Sequence, residues 1–325
     1  MRIEVRSSAR LHLGFYTISS GEIAYGSIGV AINKPEVIIH AEEADEINVK
    51  NLTGIDVEED IEDVIKRMNV QGANITVLEA IPRHVGLGST TQLKLAAAYA
   101  LSKIYGLRCN IRRLAFMLGR GTVSGIGIAV FEHGGFIIDS GRLVRNGMIH
   151  EPRSLDDIPS VIFRTSLPKN WRFIVAVPKG ICGLDEKEEK RPLEAPEFNE
   201  KLERELHDAV LIDMLPALAR RDAKRFGEAL TKIQRLVGRY FSKFQGGEFC
   251  CWETERIVEY MLENGAYGAG QSSWGPVAYG LAEGRKRAEE LLNRMLGFVE
   301  KSGIDAEIFE AQPRNRGFYC RAIRF

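Results

Sequence analysis

The segment that decides the fold is Ile81-Pro82-Arg83-His84-Val85-Gly86-Leu87-Gly88-Ser89-Thr90-Thr91-Gln92. An apolar run precedes it at residues 75–78, and an alanine-rich helical pattern follows it from residue 93 to about residue 106. This order predicts a strand, a glycine turn and the start of a helix. Gly86 and Gly88 would let the backbone approach a ligand, and the first helix amides would favour a phosphate. The local alternative is a glycine turn with an ordinary Ser or Thr N-cap.

The segment matches neither of two common phosphate-binding loops. A Walker loop needs Gly, four residues and then Gly-Lys-Ser/Thr, and a Rossmann fingerprint needs a third glycine. Neither pattern occurs in the segment. Arg83 and His84 add positive or switchable charge beside the glycines, and Ser89 and Thr90 add hydroxyls. We therefore predict an anion site that is not a nucleotide loop of either class.

Composition restricts the class of protein. The chain has 325 residues, with 44 Lys and Arg balanced by 44 Asp and Glu, so bulk charge favours neither nucleic acid nor an anionic membrane surface. No apolar run approaches the length of a membrane span, and the N-terminus lacks the apolar core of a signal peptide. Five cysteines without a repeated spacing argue against a disulfide framework or a zinc site. We expect a cytoplasmic protein with reduced thiols.

The length favours two domains, at residues 1–165 and 166–325. Residues 2–6 alternate like a strand, and Arg10 and His12 are spaced to share a strand face. Taken singly, Arg10 is more simply an exposed surface residue, and His12 is more simply a histidine whose hydrogen bonds are satisfied within the protein. Glu22 lies in a predicted loop. Further predicted elements are a strand at 26–32 with a hairpin partner at 37–41, helices near 55–70 and 111–118, strands at 136–139 and 171–178, helices within 197–245 that break near 220–222, helices at 253–264 and 284–299, and strands at 277–281 and 306–309.

Two other glycine-rich segments are informative. Residues 119–131 contain four glycines within nine residues, which predicts an irregular segment rather than the interior of a regular element. Residues 265–276 read Gly-Ala-Tyr-Gly-Ala-Gly-Gln-Ser-Ser-Trp-Gly-Pro, and predict a loop with a close backbone approach. A charged run at 185–191 predicts a solvated loop, with a lid as the less favoured reading.

Three segments together resemble the GHMP kinase superfamily. The first motif of the superfamily resembles residues 7–15, and the third resembles residues 265–276. The second motif resembles Pro82 followed, after three residues, by Gly86-Leu87-Gly88-Ser89-Thr90. The resemblance implies an α+β, GHMP kinase-like two-domain fold whose second domain is ferredoxin-like with inserted helices. Many members carry Ser-Gly-x-Asp where this chain has Ser124-Gly125-Ile126-Gly127, so the carboxylate that would orient an alcohol is absent.

Within the superfamily the chain is most similar to the β-ribofuranosylaminobenzene 5′-phosphate synthase family. The segments that carry this resemblance are Arg10-Leu11-His12-Leu13-Gly14, residues 82–92 and residues 270–276. It implies a decarboxylating phosphoribosyltransferase of methanopterin biosynthesis in archaea. The implied reaction joins 5-phosphoribosyl-1-diphosphate to 4-hydroxybenzoate or 4-aminobenzoate and releases CO2 and diphosphate. The resemblance also implies Mg²⁺ and a homodimer, with no nucleic-acid or membrane partner.

The reaction that the resemblance implies suggests roles for named residues. Loss of diphosphate needs preorganised donors, and the aryl carboxylate needs a cation. The catalytic candidates are Arg10, His12, Glu22, His84 and Gln92. The phosphate- or substrate-binding candidates are Arg83, Gly86, Leu87, Gly88, Ser89, Thr90, Thr91, Gly268, Gly270, Gln271, Ser272 and Ser273. The metal ligands stay open, with Ser89 as a candidate.

Two other functions fit some of the same residues. An ATP-dependent GHMP small-molecule kinase would share the phosphate loops, but would usually need the carboxylate that Gly127 replaces. A non-catalytic phosphometabolite-binding protein would need only the anion site. Nucleotide binding separates the first from the synthase, and turnover of a phosphoribosyl substrate excludes the second.

Overall fold

The structure is a computed structural model that describes residues 2–108, 110–183 and 192–323. The charged run at 185–191 therefore lies outside the described residues. Within them, no helix is long and apolar enough to cross a membrane. Four of the five cysteines are described, and all four are free thiols.

The first half is built on a large, mostly antiparallel sheet. Its strands are β1 (Arg2–Ser20), β2 (Ile23–Glu43), β3 (Ile47–Asn51), β4 (Ala73–Glu79), β5 (Phe136–Asp139), β6 (Arg142–Arg145), β7 (Met148–Ile149), β8 (Val161–Thr165) and the last strand of the chain, β13 (Tyr319–Ile323). The central order is β13-β1-β2-β4-β3, and only β3 and β4 run parallel among the described pairs. Its helices are α1 (Glu58–Met68), α2 (Ser89–Ile104), α3 (Ile111–Met117) and α4 (Ile126–His133).

The long strands β1 and β2 correct two predictions. β1 continues to Ser20 rather than ending near residue 6, and β2 is one strand where a hairpin was predicted from 26–32 and 37–41. Both parts of β2 pair with β1, as Arg10 with Ala31 and Ser7 with Val37. Irregular pairing along β1, between residues 8 and 10 and between 12 and 14, interrupts the register where the candidate residues lie.

The second half has the predicted ferredoxin-like topology. Its sheet contains β9 (Trp171–Pro178), β10 (Gly268–Gln271), β11 (Ala278–Glu283) and β12 (Ala306–Ala311), all antiparallel in the order β10-β11-β9-β12. The inserted helices are α5 (Glu200–His207), α6 (Leu215–Ala219), α7 (Ala223–Gln245) and α8 (Trp252–Glu263), followed by α9 (Arg285–Ser302). A π-helical turn, Asp208–Met214, joins α5 to α6. The predicted break near 220–222 is confirmed, since Asp222 caps α7 by accepting from Arg225 N.

The two halves share one buried apolar cluster. Phe136 of β5 contacts Phe226 of α7 with ring centroids 5.9 Å apart, and Trp171 of β9 contacts the same ring at 4.9 Å. The last strand, β13, also returns from the second half to pair with β1. The division at 165/166 stays a prediction: β8 and β9 lie on either side of it in different sheets, but the last strand belongs to the first sheet.

Candidate active site

The predicted strand, glycine turn and helix are present as β4, residues 80–88 and α2. Gly88 precedes the first helical residue and has a φ of +83°, which an L side chain rarely adopts. No side chain caps this helix, so its first amides stay available to a ligand. They lie at a cavity, here called the phosphate cavity, which is lined by Arg10, His84, Gly86, Gly88, Ser89, Thr90, Thr91, Arg120, Ser273 and Gly275.

The third glycine segment packs directly on the second. A Cβ added to Gly86 would lie 2.1 Å from Ser272 O, and one added to Gly275 would lie 2.1 Å from Val85 C. The Ser272 hydroxyl donates to Gly86 O at 2.6 Å and accepts from His12 N at 3.0 Å. The close approach that Gly86 permits is therefore to the other loop, although Gly86 also lines the phosphate cavity. Ser272 is fully buried and joins the three motifs rather than lining either cavity of the site.

Gly268 and Gly270 are structural rather than ligand-facing in this arrangement. They belong to strand β10, where a loop was predicted. A Cβ on Gly268 would lie 2.0 Å from Gly227 O of α7, and one on Gly270 would lie 2.3 Å from Gln234 Cγ. The two glycines thus allow α7 to pack closely on the sheet, and neither lines the phosphate cavity or the adjoining one.

The adjoining cavity, here called the aromatic cavity, opens beside the phosphate cavity. The rings of Phe15, Phe241 and Trp274 line it, and Phe241 lies 6.0 Å from Phe15 and 4.7 Å from Trp274 between centroids. Its empty volume, counting the open mouth, is about 970 Å³, within the size range of small-molecule sites. His12, Gly88, Thr91, Arg120, Gly127, Gln234, Gln271 and Ser273 also line it.

Arg10 lies between the two cavities and lines both. Its backbone N donates to Leu87 O at 3.1 Å, and its Nη1 donates to Gly86 O and lies 3.5 Å from Ser272 Oγ. Arg120 also lines both cavities, and its Nε donates to Thr91 Oγ1 at 3.1 Å. Two arginines therefore line the junction of the two cavities, where their guanidinium groups could bind an anion.

His12 is buried and lines the aromatic cavity. Its Nδ1 accepts a hydrogen bond from Gly14 N at 3.3 Å. Burial, aided by the charge of Arg10, lowers the pKa of the imidazole to about 3. The ring is therefore neutral at neutral pH rather than a cation.

Several predicted residues do not reach either cavity. Arg83 donates to Asp56 O at 2.8 Å and pairs with Asp60 at 3.3 Å, because α1 packs beside the loop. Gln92 is buried, and its Nε2 donates to Gly127 O at 2.8 Å between α2 and α4. Glu22 is exposed in the turn between β1 and β2. Leu87 packs in the core, and only its carbonyl serves the site, as the acceptor for Arg10 N.

The remaining predicted residues do line the site. His84, with a φ of +55°, faces the phosphate cavity together with Ser89 and Thr90. Thr91 and Ser273 line both cavities, and Gln271 lines the aromatic cavity. Sequence reasoning missed Arg120, Gln234 and the three rings. Arg120 lies between two glycines of the informative segment 119–131, and this position is the sequence signal that could have identified it.

The segment around Gly127 is partly helical, which corrects the prediction of an irregular stretch over 119–131. α4 begins at Ile126, and Gly127 lies in its first turn, where it lines the aromatic cavity. The buried carboxylate of Asp139 holds this turn by accepting from Gly125 N at 2.8 Å. Burial raises the pKa of Asp139 to about 6 despite hydrogen bonds from three backbone amides and the Ser124 hydroxyl.

The residues around the phosphate cavity offer hydroxyls rather than carboxylates to a metal. No acidic side chain lines it, and the described part of the chain contains no cluster of three His, Cys, Asp or Glu side chains that could hold a metal. Protein-bound Mg²⁺ usually has one or two carboxylate ligands besides substrate phosphates and water. The site therefore does not fit a resident Mg²⁺, and the Ser89 hydroxyl could serve only as an additional ligand to an ion carried by a phosphate.

Comparison with known proteins agrees with this architecture. Residues 57–135 match the family described as GHMP kinases N terminal domain, and residues 214–301 match GHMP kinases C terminal. The chain is 30% identical to the beta-ribofuranosylphenol 5'-phosphate synthase of Methanothermobacter thermautotrophicus, over 97% of each chain. It is 32% identical to the protein of the same name from Methanocaldococcus jannaschii, over 96% of this chain and 98% of that one.

Solved structures share the fold at lower identity. A homoserine kinase from Cytophaga hutchinsonii superimposes with a TM-score of 0.69 at 17% identity, covering 98% of this chain and 97% of that chain. A Lactococcus lactis galactokinase complexed with galactose gives 0.70 at 13% identity, covering 98% and 95%. At such identities the likeness concerns the fold alone.

Proposed function

The chain belongs to the beta-ribofuranosylphenol 5'-phosphate synthase family of the GHMP kinase superfamily, and from this premise we propose that it is a decarboxylating phosphoribosyltransferase. In this proposal it joins 5-phosphoribosyl-1-diphosphate to 4-hydroxybenzoate or 4-aminobenzoate. The products are a β-ribofuranosyl-arene 5′-phosphate, CO2 and diphosphate. The name of the relatives specifies a phenol product, which favours 4-hydroxybenzoate as the acid.

The observation that carries the proposal is the pairing of two unlike cavities. One offers helix amides, hydroxyls and guanidinium groups to phosphate, and the other offers three aromatic rings to an apolar ring. Arg10, Gly88, Thr91, Arg120 and Ser273 line both, so ligands in the two cavities would meet at these residues. A reaction between a phosphorylated sugar and an aryl acid needs this arrangement.

The residues of the phosphate cavity would stabilise the departing diphosphate. The bond between C1 of the ribose and the diphosphate oxygen breaks, and the oxygen keeps the electron pair. The first amides of α2, the hydroxyls of Ser89 and Thr90, and Arg120 would bind the charge that develops on that oxygen. C1 is left with oxocarbenium character on the side that faces the aromatic cavity.

The aromatic ring would then supply the new bond. Its carbon that bears the carboxylate attacks C1, and the bond to the carboxylate breaks so that its electron pair returns to the ring and CO2 leaves. This step needs no base at the position of Gly127. Arg10 would orient the carboxylate, and its other contacts to Gly86 and Ser272 keep it from clamping that group so tightly that the ground state is favoured.

Mg²⁺ belongs to the proposal as a companion of the diphosphate. When bound, it would neutralise charge on the leaving group. The Ser89 hydroxyl is the candidate protein ligand, because Ser89 lines the phosphate cavity. We also propose a homodimer in the cytoplasm, with no nucleic-acid or membrane partner; light scattering on the purified protein tests the dimer.

The test is a direct assay with matched substrates. Purified protein, phosphoribosyl diphosphate, Mg²⁺ and carboxyl-labelled 4-hydroxybenzoate should release labelled CO2 and form one diphosphate for each CO2. The same mixture without phosphoribosyl diphosphate is the control for unassisted decarboxylation. Release of CO2 that does not depend on phosphoribosyl diphosphate would contradict the proposal.

ATP turnover distinguishes the kinase alternative. Because Gly127 provides no carboxylate, we expect no ADP from ATP with homoserine, mevalonate or galactose as the alcohol. ADP formed together with a phosphorylated alcohol would replace the synthase with a kinase. Binding of phosphoribosyl diphosphate without any turnover would instead favour a phosphometabolite-binding protein.

A further inference from the structure

Two neutral hydrogen-bond donors face the aromatic cavity, and the first is His12. Because Gly14 N donates to its Nδ1, the proton of the neutral ring is assigned to Nε2. The lowered pKa of this imidazole keeps the ring neutral through the physiological range. His12 therefore presents an N–H to the cavity.

The second donor is the side-chain amide of Gln234 on α7. Its Oε1 accepts from Gln271 N at 2.8 Å, which orients the amide and leaves Nε2 as the outward group. Within residues 2–108, 110–183 and 192–323, neither Gln234 Nε2 nor His12 Nε2 has a hydrogen-bond partner. Because neither of these two unpartnered atoms is fully buried, both face open space.

Both side chains lie next to Gly14. Gly14 contacts both side chains: its N bonds to His12, and a Cβ added to it would lie 3.7 Å from Gln234 Nε2. Both side chains line the aromatic cavity and neither lines the phosphate cavity. They therefore lie outside the part of the site that would hold the phosphate groups.

We propose that His12 Nε2 and Gln234 Nε2 bind the para oxygen of the aryl acid and hold it as a phenolate. This inference rests on the proposed function and specifies the acid that the site selects. A hydroxyl or phenolate oxygen accepts hydrogen bonds from two donors. The lone pair of an aromatic amine is shared with the ring, so 4-aminobenzoate would offer the same donors a poor acceptor.

The phenolate form makes chemical sense for the reaction. Its charge increases electron density at the ring carbon para to it, which is the carbon that must attack C1. The proton lost on binding goes to solvent, and the phenol product regains one on release, so the overall reaction is unchanged. The charged side chains that line this cavity in the described structure are Arg10, Arg120 and Glu248. The charge of Glu248 is engaged by Arg239 at 2.7 Å and by Arg235 at 3.6 Å.

The first experiment is a spectroscopic titration that needs no turnover. 4-Hydroxybenzoate is added to the protein without phosphoribosyl diphosphate, and the red-shifted absorbance of its phenolate is followed from pH 6 to pH 10. We expect the bound phenol to ionise at least one pH unit below the free acid, a tenfold change in its ionisation constant. A bound acid that ionises at or above the pH of the free acid overturns the proposal.

The second experiment inverts the preference between the two acids. Gln234→Glu keeps an oxygen to accept from Gln271 N but replaces the donor by a carboxylate oxygen. The ratio of kcat/KM for 4-hydroxybenzoate to that for 4-aminobenzoate should fall by about tenfold or more, because the new oxygen repels a phenolate and accepts from an amine. Gln71→Glu is the control for the added charge: Gln71 is exposed and lines neither cavity. It should leave the ratio unchanged.

The outcomes separate this inference from the proposed function. If the unmodified protein converts neither acid, the proposed function fails, and the titration still decides whether the cavity binds a phenolate. If it converts both acids and Gln234→Glu keeps the original ratio, the donor pair is wrong while the function stands. If Gln234→Glu does not fold, the titration on the unmodified protein decides alone.

Discussion

Arg10 is the residue on which the two cavities depend most. It is half-buried on β1, lines both cavities, and donates through Nη1 to Gly86 O of the glycine loop. In the proposed reaction, its side chain would therefore contact the aryl carboxylate and the glycine loop at the same time. A guanidinium can do this because its several N–H donors lie in one plane and point in different directions.

We expect Arg10→Ala to lower kcat/KM for the aryl acid about tenfold to a hundredfold, the equivalent of about 1.5–3 kcal/mol for a charge-assisted contact. The affinity for phosphoribosyl diphosphate should also fall, because Gly86 loses a donor. Arg10→Lys should lie between, since it keeps the charge and loses the planar fork. Steady-state kinetics with each substrate varied checks both effects.

Arg83→Ala is the matched control for Arg10. Arg83 lies in the glycine-turn segment that Arg10 contacts, but it pairs with Asp60 of α1, outside both cavities. Its removal should change neither KM appreciably. If it weakened phosphoribosyl diphosphate as strongly as Arg10→Ala does, the phosphate would have to be bound by Arg83 in a different loop arrangement.

The second prediction at this scale concerns the buried imidazole of His12. Its pKa is about 3 in the folded protein and 6.5 for an ordinary histidine, so below pH 6.5 the unfolded chain binds a proton that the folded chain does not. Stability from this group is present above pH 6.5 and is lost as the pH falls toward 3. At pH 5 the loss should be about 2 kcal/mol relative to pH 7.5.

Urea unfolding at the two pH values measures this loss. His12→Asn removes the titrating group and should reduce the difference between the two pH values by that amount. His133→Asn, at a half-exposed side chain on α4, should leave the difference unchanged. An unchanged difference in His12→Asn would show that His12 is not buried as a neutral ring.

At the scale of elements, the site depends on how α2 begins. Gly88 lies at its N-terminus with a φ of +83°, and Gly106 follows its C-terminus with a φ of +63°. The two glycines differ in their surroundings. A Cβ on Gly88 would lie 3.1 Å from Arg10 Cγ, whereas a Cβ on Gly106 would have no heavy atom within 4 Å.

This difference gives the third prediction. Gly88→Val and Gly106→Val should each destabilise the fold by about 1–2 kcal/mol or somewhat more, because a β-branched residue resists positive φ. Only Gly88→Val should abolish binding of phosphoribosyl diphosphate, since its side chain meets Arg10 and occupies the phosphate cavity. Calorimetric titration of both variants checks this. Full affinity in Gly88→Val would show that the loop is only a turn.

Glycines also decide where α7 lies. Gly227 of α7 and Gly268 of β10 approach so closely that a Cβ on either would lie within 2.4 Å of backbone atoms of the other segment. This contact positions Gln234 and Phe241, which follow on the same helix and line the aromatic cavity. The glycines of the third motif thus act on the site through a helix rather than through a ligand.

At the scale of the whole molecule, the site exists only where the two halves meet. Arg10, His12 and the phosphate loop come from the first half, and Gln234, Phe241, Ser273 and Trp274 come from the second. Ser272 joins the halves at the centre of the site through Gly86 O and His12 N. Loss of this hydroxyl should therefore affect stability and both cavities together.

We expect Ser272→Ala to cost about 1–3 kcal/mol in stability, because His12 N would be left buried without its acceptor. The KM for phosphoribosyl diphosphate should rise as the glycine loop loosens. Ser102→Ala is the matched control: Ser102 is equally buried, but its hydroxyl donates only to Tyr99 O within α2. It should cost less and leave KM unchanged. Equal effects on KM in the two variants would contradict a bridging role for Ser272.

The sequence alone determined most of the elements and the superfamily. Apolar periodicity and turn residues predicted α1, α3, β5 and β9, because such patterns act over a few residues. The ferredoxin-like topology of the second half was implied by the resemblance and is confirmed. The glycine turn before α2 and the two-apart spacing of Arg10 and His12 likewise depend on local geometry. These local features, with the resemblance of three segments to a known superfamily, sufficed to predict the glycine turn that lines the phosphate cavity.

Only the tertiary structure decided which polar residues meet. Arg83 and Arg10 are both arginines beside a motif, and nothing in the chain shows that α1 engages one while the junction of the cavities receives the other. Gly268 and Gly86 likewise look alike in sequence. Gly268 packs against helix α7, whereas Gly86 packs against the loop at Ser272, which lies more than a hundred residues away in the chain. Arg120, Gln234 and the three rings are adjacent only after both halves pack. Packing between distant segments carries no local periodicity, so the site could be assigned only from the fold.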